Sequence, residues 1–163
     1  MAALSRRTVL KASAAAASGF ALGWTGIYGA LALAALGSIV GCARAGQVAC
    51  GALLDVDGGY GRYIGLAAMP ASQTVYGVVI MLALNRPVSG ENAGALFAVG
   101  ILAGIVQMMS AIYQGECCAS AIQVAKSKHE IFGLSAAPAA LVEGFAVFAL
   151  AFALVLVQRI PAG

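Results

Sequence analysis

Charged positions divide the chain into long apolar stretches. Residues 12–43, 63–85 and 92–115 contain no Asp, Glu, Lys or Arg, and 131–158 contains only Glu143. Each stretch meets the roughly 20 residues that cross a bilayer as α-helix. The pattern predicts a first helix over about 14–52, a polar turn L-D-V-D-G-G-Y-G-R at 54–62 and a second helix over about 63–84. A connector N-R-P-V-S-G-E-N at 85–92 carries Pro87 and Gly90 and marks the midpoint. The plan then repeats, with a helix over about 93–125, a loop K-S-K-H-E at 126–130 and a last helix over about 131–158. The expected fold is an all-α membrane protein with four transmembrane helices in two tandem helical hairpins. Its units are a cationic tail at 1–18, a first hairpin at 19–85, a connector at 86–92 and a second hairpin at 93–163.

Composition narrows the class further. Apolar residues make up 62% of the chain and charged residues 9%, so no room remains for a soluble domain of ordinary surface. The formal net charge of +3 comes mostly from residues flanking helices. It therefore speaks of membrane orientation, and no nucleic-acid partner is expected. With the tail set aside, Arg44, Arg62, Lys126 and Lys128 beside the first and third loops outweigh Arg86 and Arg159 on the other side. That balance points the first and third loops to the cytoplasm. Cys42, Cys50, Cys117 and Cys118 form no C-x-x-C pair, and His129 is the only histidine. Packing in apolar stretches is expected of these thiols, rather than a zinc or disulfide framework. The tail itself, S-R-R-T-V-L-K at 5–11 before A-S-A-A-A-A-S-G-F, has the make-up of a twin-arginine signal. Its apolar part runs into the first helix without a clear cleavage site, so a cationic anchor explains it as well.

Two hairpins of similar length suggest a duplication. Setting 45–53 against 114–122 aligns Gly46 with Gly115 and Ala52 with Ala121, and setting 72–77 against 144–149 brings Ala71 opposite Glu143. The first and third helices carry Gly37-x-x-x-Gly41 and Gly100-x-x-x-Gly104, the latter followed by Ala111, Gly115 and Ala119. Small residues at this spacing let helix backbones approach closely in lipid, so these two helices are expected to pack tightly.

Glu143 lies near the centre of the last helix, hence near the bilayer midplane. A bare charge there costs about 3 kcal/mol on insertion scales, so such a residue is expected to be partnered and functional. Partners of matching depth occur in M-P-A-S-Q-T-V-Y-G of the second helix, where Ser72 and Tyr76 are four apart with Gln73 beside them. Pro70 has no N–H, which is expected to leave the Leu66 carbonyl unpaired and loosen the helix around Met69, freeing a main-chain oxygen. Gln107 and Gln114 add amides from the third helix. A carboxylate, two amides, a hydroxyl and a main-chain carbonyl are the oxygens a hard monovalent cation such as Na⁺ needs to shed its water. A proton needs less, so the residue types favour Na⁺ over H⁺.

A glycine-rich duplicated hairpin, P-x-S-Q-x-x-Y-G in the second helix, Y-Q-G in the third and V-E-G-F-A in the fourth together form a specific combination. Over about residues 26–158 the chain resembles the K subunit, the proteolipid or c-ring subunit, of prokaryotic V-type (A/V-type) rotary ATPases. The resemblance implies a homo-oligomeric membrane ring with the first and third helices inside, and no organic cofactor. It makes Glu143 the ion-carrying carboxylate of the second hairpin. Ser72, Gln73 and Gln114 become side-chain cation ligands, Met69 a main-chain donor, and Tyr76 the hydroxyl that locks the glutamate. It further implies a non-catalytic, ion-translocating subunit in the cell membrane. Its partners would be a stator membrane subunit with half-channels, central stalk subunits and the lipid bilayer. A competing class is a small four-helix multidrug exporter with a single membrane glutamate, but that needs an aromatic-lined cavity, and Trp24 is far from Glu143 in sequence. A tetraspan scaffold would leave the cost of a midplane glutamate unexplained.

Overall fold

The computed structural model describes residues 6–163 and is helical throughout, with no strand among the described residues. Helix α1 runs over Arg6–Leu53, α2 over Tyr60–Ala68 and α3 over Ser72–Leu84, the last two joined by a 3-10 turn at Met69–Ala71. Helix α4 covers Ala93–Ser127, and a second 3-10 turn at His129–Ile131 leads into α5 at Phe132–Val157. Four segments, Arg6–Leu53, Tyr60–Leu84, Ala93–Ser127 and His129–Val157, are long and apolar enough to cross a membrane. The chain is a multi-pass membrane protein, as the spacing of its charges predicts.

Element ends depart from the sequence expectation in three places. The first turn closes sooner, because α2 begins at Tyr60 behind Gly59, whose φ of 69° is the left-handed conformation glycine adopts without strain. Helix α1 begins by Arg6 rather than near residue 14, so the cationic stretch continues the spanning helix without a break. Residues 1–5, including the first serine of the twin-arginine-like segment, lie outside the described residues. The last helix is α-helical only from Phe132, after the 3-10 turn.

Glycine sets the packing of α1 against α4. A Cβ on Gly37 would lie 2.5 Å from the Met108 Cα, and the space beside Gly100 is filled by the backbone of Gly26. Gly41 meets the backbone of Ala111 and Gly115, so the contacts progress in the same direction along both helices, which run side by side and parallel. The expected close packing is present and runs through Gly37 and Gly41 of α1, whereas Gly46, which the duplication sets against Gly115, has nothing near it. Helix α3 closes on α1 through Gly77, whose added Cβ would stand 2.5 Å from that of Ala34.

The core is split. One apolar cluster gathers Ala45, Ala49, Tyr63, Leu66, Cys118, Ile122 and Ala139 at the end of the hairpin turns, and another gathers Ile27, Ile80, Leu84, Leu96, Ala153 and Val157 at the connector end. Between them lie the buried polar side chains of Gln73, Gln107, Ser110 and Gln114. Polar caps hold both ends. Lys126 donates to Asp55 at 2.6 Å across the two hairpin turns, and Arg62 stacks over the rings of Tyr63 and Phe132. At the connector the buried Asn92 side chain accepts from the Ser89 N–H and donates to the carbonyls of Pro87 and Pro161, tying the C-terminal segment down. Helix α5 turns Leu141, Phe145, Phe148 and Phe152 outward, a face suited to lipid or to another apolar surface.

Candidate functional site

Proline 70 shapes the polar layer. With no N–H to give, it tightens the chain into the 3-10 turn, in which the Met69 N–H bonds to the Leu66 carbonyl and the Ser72 N–H to the Met69 carbonyl. The Leu66 oxygen is therefore paired, contrary to the sequence expectation, because the tighter i→i+3 pattern supplies the donor that proline removed. The same turn brings Ser72 Oγ to 3.0 Å from the Met69 carbonyl, and Gly41 of α1 packs against Pro70 from behind.

From Ser72 a continuous set of hydrogen bonds reaches Glu143. Ser72 Oγ lies 3.2 Å from Gln73 Oε1, an alternative acceptor for its one proton. Gln73, fully buried, donates Nε2 to Gln114 Oε1 at 2.9 Å and to Ser110 Oγ at 3.3 Å. Gln114, also fully buried, donates its own Nε2 to Glu143 Oε2 and to the Ala139 carbonyl, both at 3.2 Å. Tyr76 donates its hydroxyl to Glu143 Oε1 at 3.0 Å. Met69, Ser72, Gln73, Tyr76, Gln114 and Glu143 are thus brought together by the 3-10 turn, α3, α4 and α5 at one depth. Helical geometry explains this: Ser72 and Tyr76 share a face one turn apart, Gln73 points inward from the next position, and Glu143 sits mid-helix on α5.

The carboxylate accepts from two donors, one on each oxygen, in a layer closed off by apolar clusters above and below. Its surroundings offer oxygen and amide groups, with no Lys, Arg or His among its hydrogen-bond partners in the described residues. Such a carboxylate suits reversible neutralisation by a proton or a small cation better than a permanent ion pair.

Two features escape a reading of the sequence. Ser110 donates to the Val142 carbonyl at 3.1 Å while accepting from Gln73, so it joins α3 to α5. With Gln107, which donates to the Ala146 carbonyl at 2.9 Å, and Gln114, it forms a stripe on α4 whose side chains each bond to a main-chain carbonyl of α5. The second feature is Glu116. Glu143 is not the lone acid at this depth, because Glu116 lies two positions, ~3 Å along the axis, beyond Gln114. It is ion-paired with Arg44 of α1, each side chain about half exposed at 49%. Both charges sit inside long helices rather than beside loops, since α1 and α4 extend well past them.

Residues 97–156, most of α4 and α5 with the turn between them, match the family model for the ATP synthase C subunit. That match includes Gln107, Ser110, Gln114 and Glu143. Over that stretch, less than half of the chain, it is similar to this family. The chain is also 28% identical over 142 residues to the A-type ATP synthase K subunit of Methanocaldococcus jannaschii, an alignment that covers 87% of this chain and 64%, just under two thirds, of the relative's length.

Proposed function

We propose that this chain is a proteolipid, a rotor-ring subunit of an A/V-type rotary ATPase, and that it carries Na⁺ across the cell membrane on Glu143. The observation that carries this reading is the half-buried Glu143 carboxylate, held by Tyr76 and Gln114 at the edge of a layer of buried amides and the buried Ser110 hydroxyl. Met69, Ser72, Gln73, Gln114 and Glu143 offer the oxygens for the cation, and Tyr76 fixes the carboxylate. H⁺ is the alternative cargo, for which the same groups form a hydrogen-bonded proton site.

Copies of the chain form a closed ring with α1 and α4 toward its inside and α2, α3 and α5 toward its outside. An ion enters through a half-channel of the stator and neutralises Glu143, and that face of the ring then passes through lipid. A cationic group on the far side of the stator draws the carboxylate out and releases the ion. Rotation without neutralisation would put a bare charge into hydrocarbon, which enforces coupling. One carrier carboxylate per pair of hairpins moves few ions per turn, an arrangement that suits ATP-driven pumping against a steep gradient. The turns around Asp55 and Lys126 face the cytoplasm and the central stalk. Electron micrographs of the purified membrane protein should show closed rings. Monomers or dimers alone would contradict the rotor reading and leave a small exporter as the better account.

A further inference from the structure

The hydrogen bonds around Glu143 contain a conflict that the sodium reading must resolve. Gln114 turns its Nε2 toward Glu143 and Ala139, and its oxygen toward Gln73. To offer that oxygen to a cation beside Glu143, the amide must rotate about its terminal torsion, which is soft and two-fold. Rotation sets Gln114 Oε1 against two other acceptors, Glu143 Oε2 and the Ala139 carbonyl, and only a positive ion between them makes that arrangement favourable. A proton asks for no such turn, since the carbonyl oxygen of a protonated carboxyl still accepts the Gln114 N–H.

The rotation has a second consequence, at Gln73. Both hydrogens of its Nε2 are in use, one on Gln114 Oε1 and one on Ser110 Oγ. When Gln114 turns, its Nε2, a donor, takes the place of that acceptor, and Ser110 is the one acceptor that remains to Gln73 Nε2. Ser110 is 8% exposed, and its own proton is committed to the Val142 carbonyl, so its lone pair is presented to Gln73 in a fixed direction. With Nε2 anchored there, Gln73 Oε1 stays beside Ser72 Oγ, on the side of the cation oxygens. Without Ser110 the buried Gln73 amide would lose both acceptors as Gln114 turned, a large cost in an apolar interior.

We propose that Ser110 is a positioning residue that sets the preference of the Glu143 site for a small cation over a proton, by holding the Gln73 amide while the Gln114 amide turns. This rests on the sodium reading and goes beyond it, because Ser110 is not itself a ligand. The test is the rate at which a carbodiimide labels Glu143 in the detergent-solubilised whole protein, titrated with Na⁺. Ser110→Ala and Ser110→Cys should be labelled like the unaltered protein when Na⁺ is absent, yet need about tenfold more Na⁺ for half-protection, the worth of one buried hydrogen bond. Ser110→Thr keeps the hydroxyl and should stay within about threefold of the unaltered protein. Wild-type Na⁺ titration in both Ser110→Ala and Ser110→Cys would overturn the proposal. So would loss of labelling without Na⁺ in both, which would make Ser110 a support of the whole site. If Na⁺ fails to protect even the unaltered protein at any pH, the sodium reading falls and this inference with it, an outcome distinct from the other two.

Discussion

The α1/α4 seam and the seam that α4 makes with α3 and α5 lie on adjoining faces of one helix and are built on opposite principles. Toward α1, helix α4 presents glycine and alanine, and backbone meets backbone at Gly26, Gly37, Gly41, Gly100 and Gly115. Toward α5 it presents Gln107, Ser110 and Gln114, each spending a donor on a main-chain carbonyl. In lipid, apolar side chains gain little by leaving the tails, so helices hold together either by close contact or by hydrogen bonds. The first seam takes the close contact and has no freedom to adjust. The second takes the hydrogen bonds, which can be exchanged, and that is where a neutralisable carboxylate belongs.

The sharpest way to break the comparison is to overfill the first seam. Gly100→Leu places a side chain into the Gly26 backbone, which cannot step aside, and should leave no folded protein in mild detergent. Gln107→Leu on the other face should purify intact, as seen by a single symmetrical gel-filtration peak for that variant alone. Two well-behaved peaks would show that the glycine seam has slack.

Next in size is Glu143→Gln. It keeps the volume and one of the two accepting oxygens but cannot bind and release an ion reversibly, so ATP-coupled ion uptake into reconstituted vesicles should vanish while assembly persists. Uptake at a near wild-type rate would remove Glu143 as the carrier. A smaller effect is expected from Tyr76→Phe, which takes one donor from a carboxylate and leaves the other. Na⁺ should protect this variant only at about tenfold higher concentration, as suits a hydrogen bond to a charged acceptor. The smallest effect belongs to the first seam's one ion pair among the described residues: its half-exposed charges predict that Arg44→Gln lowers stability by at most about 1 kcal/mol, read from the melting temperature against Glu116→Gln and the double variant.

Much of this architecture is legible in the sequence, for physical reasons that also mark its limits. Lipid excludes charge, so uncharged runs reveal spans, and 3.6-residue periodicity puts Ser72 with Tyr76 and aims Gln73 inward. Position along a helix gives depth, which is how residues on three helices can be grouped around Glu143. The tertiary use of a hydroxyl is another matter. Ser13, Ser18, Thr25 and Ser120 all bond back to their own helix, and nothing local distinguishes Ser110, which reaches α5 instead. The pair of Arg44 and Glu116 is hidden when charges are read as span ends, which fails where helices overrun the bilayer as α1 and α4 do. The Leu66 carbonyl looks free in the sequence because proline removes an α-helical donor. The local shift to 3-10 geometry that restores one is not written in residue types.

The central claim is that one neutralisable carboxylate, held in the polar layer, takes either a proton or Na⁺. Carbodiimide modification followed by peptide mass mapping tests it most directly, because the reagent attacks protonated carboxyls and two acids share this depth. An adduct is predicted on Glu143 and none on Glu116, whose carboxylate is ion-paired with Arg44. The reaction should slow as pH rises, Na⁺ should protect in a concentration-dependent way, and the protection should weaken at lower pH where protons compete for the same oxygen atoms. An adduct on Glu116 in place of Glu143, or a Glu143 labelling rate indifferent to both pH and Na⁺, would contradict it.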